Sequence, residues 1–187
     1  MKQGLLLSVL CVACASSEQA SVSPGSAEFT GEGCVLRVPA QALLTDFYKD
    51  YLSQDGTKPR VPRIHFSKSF QSLINANKRL CDAKAGTDVC GWGANGDVFL
   101  NTQESDPKLT YENSEISITE APNSKLIVVL NVYPSLKSKK DRAFYTRRLS
   151  YLTFFEEDRW VVDDILMDDK FSAREAISRE MAELQKR

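Results

Sequence analysis

The sequence predicts an α+β domain in which helices cover one face of an antiparallel sheet. Three observations carry this. Leu43, Leu44, Phe47, Tyr48, Tyr51 and Leu52 recur at helical spacing near the start of the domain. From Tyr111 onward the apolar period shortens to two, the period of a half-buried strand. Ser172-Ala173-Arg174-Glu175 has the pattern of a capping box and opens a closing helix.

The first helix begins near Pro39, whose fixed φ suits a first helical turn. It ends before Asp55-Gly56, and Lys58-Pro59-Arg60-Val61-Pro62 must be a loop. A second helix is predicted from about Ser67 to Leu80, with Phe66, Phe70, Leu73, Ile74 and Leu80 as its apolar side. A Gly- and Asp-rich loop containing Trp92 follows, from Asp82 to Gly96, then a short apolar piece, Val98-Phe99-Leu100. Glu115 to Thr119 alternates and reads as a strand. Leu126 to Tyr133 is almost continuously apolar, as a central strand would be. Ser135 to Asp141 is a basic loop. Phe144 to Phe155 and Arg159 to Met167 form a last hairpin around a tight charged turn. Ala176, Ile177, Met181 and Leu184 line one side of the closing helix.

The N-terminus reads as a secretory signal over residues 1–15. Lys2 supplies the charge, Leu5 to Val12 the apolar run, and Ala13-Cys14-Ala15 an A-x-A cleavage site. That run is far shorter than the roughly 20 residues that span a bilayer. Val12-Ala13-Cys14 also fits the site at which bacterial lipoproteins are cut and acylated, with Cys11 where Leu is usual. Both routes lead to the periplasm or cell envelope. They differ in whether Cys14 carries a lipid anchor, the one membrane contact predicted. Residues 16–33, a polar Ser-, Pro-, Gly- and Glu-containing stretch, read as a flexible leader, and 34–187 as a single domain.

Loss of Lys2 with the signal leaves 23 basic against 25 acidic residues, a net charge near −2. That balance lacks the basic surface that a nucleic-acid partner demands. Cys34, Cys81 and Cys90 remain. In an oxidising compartment Cys81 and Cys90 are predicted to pair. Cys34 is then left to be buried, to pair between chains, or to compete for one of the others. The spacing is not C-x-x-C and the only histidine is His65, so no metal site and no cofactor are predicted. The acidic cluster Asp163, Asp164, Asp168 and Asp169 lacks the spacing of a calcium loop, and part of it is expected to cap the closing helix.

Asp164 is the polar residue that attracts most interest. Strict alternation along Arg159 to Met167 puts it on the face of Trp160, Val162 and Leu166. A carboxylate among core-facing residues either accepts structural hydrogen bonds or belongs to a pocket. In a pocket, with its pKa raised by desolvation, it is a general-base candidate, and Tyr48 or Tyr51 could supply the hydroxyl of an acid–base pair.

The helix Ala42-Leu43-Leu44-Thr45-Asp46-Phe47-Tyr48-Lys49-Asp50-Tyr51-Leu52 and the strand Arg159-Trp160-Val161-Val162-Asp163-Asp164-Ile165 resemble the first helix and closing strand of the nuclear transport factor 2-like superfamily. Within it, the chain looks most like the bacterial envelope proteins grouped as domain of unknown function 3828. The Asp/Asn loop before a short apolar piece in that family corresponds here to Gly93 through Gln103, which carries only part of its usual aspartates. The resemblance spans about residues 39–170. It implies a conical, cystatin-like α+β fold: a curved antiparallel sheet wrapped on the N-terminal helices around a cavity.

Superfamily members include isomerases, dehydratases, transport adaptors and immunity proteins, so the fold leaves function open. The expected function is an envelope binding module for a protein or a small apolar ligand. One specific form is an immunity protein that neutralises a toxin delivered into the periplasm. The ligand-pocket candidates are Tyr48, Tyr51, Trp160 and Asp164. The alternative is a small isomerase or dehydratase that uses a cavity Asp and Tyr.

Overall fold

A computed structural model describes residues 39–86 and 88–186 of the chain. The signal, the leader, Cys14 and Cys34 lie outside the described residues. The order of elements is helix α1 (Ala40–Ser53), helix α2 (Lys68–Lys84), strands β1 (Ser117–Ala121) and β2 (Lys125–Asn131), a short helix α3 (Lys139–Phe144), strands β3 (Thr146–Glu156), β4 (Arg159–Met167) and β5 (Phe171–Ser172), and helix α4 (Ala173–Gln185). The five strands form one antiparallel sheet in sequence order. The predicted α+β plan holds. Among the described residues no helix is long and apolar enough to cross a membrane.

Each boundary has a local cause. The α1 helix starts at Ala40 with Pro39 as its cap residue. The Ser67 hydroxyl accepts from Phe70 N and so caps α2. That helix runs to Lys84, past the predicted end at Leu80, because Cys81 continues its buried side. Basic residues predicted as loop form α3 instead, where Ser138 Oγ accepts from Asp141 N. The turn between β3 and β4 is two residues long, with Glu157 at φ 48° and Asp158 at φ 60°. Two successive left-handed residues match the strand twist of a type I′ hairpin.

The core lies on one sheet face. Leu126, Tyr151 and Ile165 stand in register across β2, β3 and β4, and each is buried with the α1 residues Leu44, Phe47, Tyr48, Tyr51 and Leu52. Phe70, Phe99, Leu100, Ala173 and Ile177 close the same cluster. The other face carries Lys125, Leu152 and Asp164 in register. There Asp169 pairs with Lys125 and Arg148 and accepts from Ser150, and these partners, Lys125 foremost, hold its carboxyl well below the usual carboxylate range.

Cys81 and Cys90 form a disulfide, as predicted, with Cα atoms 5.7 Å apart. It joins the last turns of α2 to the loop that follows. Because the closed loop is short, its entropic contribution is about 2.5–3 kcal/mol. Replacing both cysteines by Ser is expected to lower unfolding stability by about that amount. Urea denaturation of the double variant checks it, and an unchanged midpoint would show that the bridge contributes nothing.

Candidate functional site

The four pocket candidates do not converge. The reason is one residue in β4. Val162 pairs with Thr153, but Asp164 pairs with Leu152, so Asp163 is an extra residue without a partner across the ladder. Such a bulge breaks the alternation of faces. Ile165, not Leu166, joins Trp160 and Val162 against the core. Asp164 therefore stands on the opposite sheet face from Tyr151, and the predicted shared face with Trp160, Val162 and Leu166 is corrected.

Asp164 serves the closing helix. Its Oδ1 accepts from Arg174 N at 3.1 Å and Ile165 N at 2.8 Å, and its Oδ2 accepts from Ser172 Oγ. Ser172 Oγ in turn accepts from Glu175 N at 3.1 Å. Together they satisfy two of the donors that open α4. Asp164→Ala is expected to cost about 1–2 kcal/mol. Asp164→Asn, which keeps an acceptor oxygen, is expected to cost less. Urea titrations of the two variants check the order; equal losses would argue against the capping role.

Trp160 lines a separate hollow beside Pro39, Ala40, Glu120 and Lys125. Its ring packs edge-on against Phe155 at 5.6 Å. Tyr48 and Tyr51 lie in the core. The Tyr48 hydroxyl donates to Phe99 O at 2.8 Å and shares a 2.7 Å hydrogen bond with Tyr151. Tyr51 donates to Asp97 Oδ2 at 2.9 Å. Burial pushes all three tyrosine pKa values up. His65 is exposed, and its backbone O accepts from Val162 N in a short parallel bridge between β4 and the segment before α2.

A different set of residues lines a partly open, mainly apolar cleft with a volume of about 430 Å³. One wall is the loop from Gly91 to Gly96, continued by Asp97, Val98 and Asn101–Gln103. The other is α4, through Ala176, Ile177 and Glu180, with Met167 of β4 at the base. This size suits a small organic ligand.

The loop wall is tied down at both ends. Asn77, buried on α2, accepts from Trp92 N at 3.0 Å and donates to Glu180 Oε2 at 2.7 Å. Glu180 Oε1 accepts from Gly91 N at 3.2 Å. The disulfide at Cys90 adds a covalent tie one residue away. At the far end, Asp97 Oδ1 accepts from Phe99 N at 3.0 Å and Leu100 N at 3.1 Å, while Oδ2 takes the Tyr51 hydroxyl. Burial pushes the Asp97 carboxyl up; the hydrogen bonds from Tyr51, Phe99 and Leu100 act the other way, as does the charge of Arg60. Between these anchors the loop closes tightly on itself: a Cβ on Gly96 would stand 2.8 Å from Thr102 O.

Trp92 packs against Phe66, Phe70 and Phe99 with ring centroids 5.4 to 5.7 Å away. Its indole N–H is buried without an acceptor. Cys81, Cys90 and Glu180 also bring potential ligand atoms close together, but the two sulfurs are bonded to each other and offer no thiolate to a metal.

Asn77, Asp97 and Glu180 are not among the predicted pocket residues, although Asp97 falls in the Gly93–Gln103 element read from the resemblance. A signal existed for two of them. Asn77 interrupts the apolar stripe Phe70, Leu73, Ile74 and Cys81, and Glu180 sits one turn from Ile177 on the core-facing side of α4. Polar residues in an apolar stripe mark places where a buried partner is needed.

No family model and no curated protein matches the chain. Among solved structures, it is similar to a protein of unknown function from Bacteroides thetaiotaomicron, at 15% identity and a TM-score of 0.42, over 68% of this chain and 88% of that one.

Proposed function

We propose that this protein is a non-catalytic binding module of the cell envelope, with a nuclear transport factor 2-like cone as its scaffold, and that the cleft between the Gly91–Gln103 loop and α4 holds a small ligand. The observation that carries the reading is a cavity of ligand size whose loop wall is fixed in advance. Asn77, Glu180, Asp97 and the disulfide hold that wall through contacts within the protein. A wall already ordered spares the entropy cost of ordering it on binding. The disulfide fits an oxidising compartment, in line with the export signal read from residues 1–15.

The isomerase alternative requires an acid and a tyrosine on one cavity. Asp164 and Tyr151 stand on opposite faces of the sheet, the Tyr48 hydroxyl is engaged with Phe99 O and Tyr151, and the Tyr51 hydroxyl is engaged with Asp97, not Asp164. That pair therefore gives the alternative no support.

The test is a small-molecule screen by thermal shift, run on the wild type and on Ala176→Trp. Ala176 is exposed at the cleft wall, so the large ring blocks the cavity without entering the core. Compounds that stabilise the wild type and not the variant support the reading. Equal stabilisation of both, or none at all, would remove it.

A further inference from the structure

We infer that the ligand of this cleft is a cation: an amine-bearing molecule whose apolar body lies along Val98, Met167 and Ile177 while its ammonium group pairs with Glu180. The inference rests on the cleft being the binding site and goes beyond that reading by assigning the ligand's charge class.

The charge inventory of the lining is one-sided. It contains two carboxylates, Asp97 and Glu180, and no Lys, Arg or His. Glu180 is the decisive group. It is half-buried, and both of its oxygens are oriented by neutral donors: the Asn77 amide on Oε2 and the Gly91 backbone N–H on Oε1. Hydrogen bonds of this kind stabilise and aim a carboxylate without cancelling its charge. Each oxygen still has a lone pair to offer. Among the described residues no ion pair joins Glu180 to a cation.

Asp97 plays a lesser part. Its three hydrogen bonds are directed to holding the loop. At the rim the charges offset each other: Arg147 donates Nε to Asn101 O, while Asp168 accepts from the Asn101 amide. Inside the cleft the field is therefore that of its carboxylates, with Glu180 the one whose oxygens are not taken up in holding the loop, in surroundings partly screened from water, where an ion pair is worth more than on an open surface. An anionic ligand would meet a fixed carboxylate with no cation to compensate it.

The experiment compares three matched probes: phenethylamine, 2-phenylethanol and 3-phenylpropionate. Each is titrated into the full exported chain at pH 7 while the backbone amides of Gly91, Trp92, Gly93 and Gly96 are followed by two-dimensional NMR. Phenethylamine is expected to bind about tenfold more tightly than the alcohol, and the carboxylate more weakly than either. Glu180→Gln keeps one acceptor oxygen, which serves Gly91 N or the Asn77 amide but not both, and is expected to abolish the preference for the amine. Glu180→Asp, which retains the charge, is expected to keep part of it. Unchanged melting of both variants shows that the fold survives.

Alcohol or carboxylate binding as tight as the amine's, or a preference that persists in Glu180→Gln, would overturn the cation assignment and leave the cleft intact as a site. If none of the probes moves these amides, or all move them equally in Ala176→Trp, the cleft reading itself fails and the assignment with it.

Discussion

Asp97→Ala is expected to destabilise the domain by about 3–4 kcal/mol and to disorder the cleft wall. The carboxylate accepts from Phe99 N, Leu100 N and the Tyr51 hydroxyl, and alanine leaves Phe99 N and the Tyr51 hydroxyl without that acceptor and Leu100 N with only the backbone O of residue 97, 3.3 Å away. Each such loss costs roughly 1–3 kcal/mol when the group is buried, less where water reaches it. Asp97→Asn separates this effect from charge. Its amide oxygen still accepts from the two backbone groups, and the Tyr51 hydroxyl can turn to accept from the new NH₂. The Asn variant should therefore stay within about 1 kcal/mol of the wild type.

The same pair of proteins gives a pH signature with a definite sign. Burial raises the folded-state pKa of Asp97 above its ordinary value of 3.8. Between those two values the folded protein binds more protons than the unfolded chain. The contribution of this group to stability is thus largest below 3.8 and declines as pH rises toward the raised pKa. Asp97→Asn does not titrate. Its stability relative to the wild type should improve as pH rises through that window. Urea midpoints for both proteins at several pH values test this, and parallel curves would show that Asp97 is not shifted upward.

Tyr48→Ala should have a larger effect, about 4–5 kcal/mol. The side chain is fully buried, edge-on to Phe47 at 5.0 Å and Tyr151 at 6.4 Å. Its removal opens a cavity beneath α1 and strips Phe99 O and the Tyr151 hydroxyl of a partner. For a domain of this size the loss corresponds to a melting temperature lower by roughly 10–20 °C. Tyr48→Phe keeps the ring and loses the hydroxyl alone, so it should cost about 1–3 kcal/mol. If Phe were as damaging as Ala, the hydrogen bonds and not the packing would be the main contribution of this residue. If both were harmless, the core would not depend on α1 as described.

The contrast between Tyr48 and Asp164 shows what periodicity can and cannot convey. The helical spacing of Leu44, Phe47, Tyr48, Tyr51 and Leu52 places all five in the core, because a helix of fixed pitch presents the same face wherever it sits. The strand argument for Asp164 used equally good alternation and failed at Asp163. A bulge is a mismatch in residue count between two strands. It is set by how β4 lies against β3, and no pattern within β4 alone reveals it.

Features that depend on neighbours within a few residues were legible in advance. The helical face of α1, the bounds of β4, the charged turn at Glu157-Asp158, the Ser172 cap of α4 and the Cys81–Cys90 bridge all belong here. They follow from pitch, cap chemistry and the short reach of a nine-residue separation. The cleft belongs to the other kind. It exists because Asn77 meets Glu180 across 103 positions of sequence, Tyr51 meets Asp97 across 46, and Gly91 meets Glu180 across 89. Such contacts form only when α2, the loop and α4 have packed. Local propensity decided which elements this chain builds, and the burial of their polar residues against one another decided where the cleft lies.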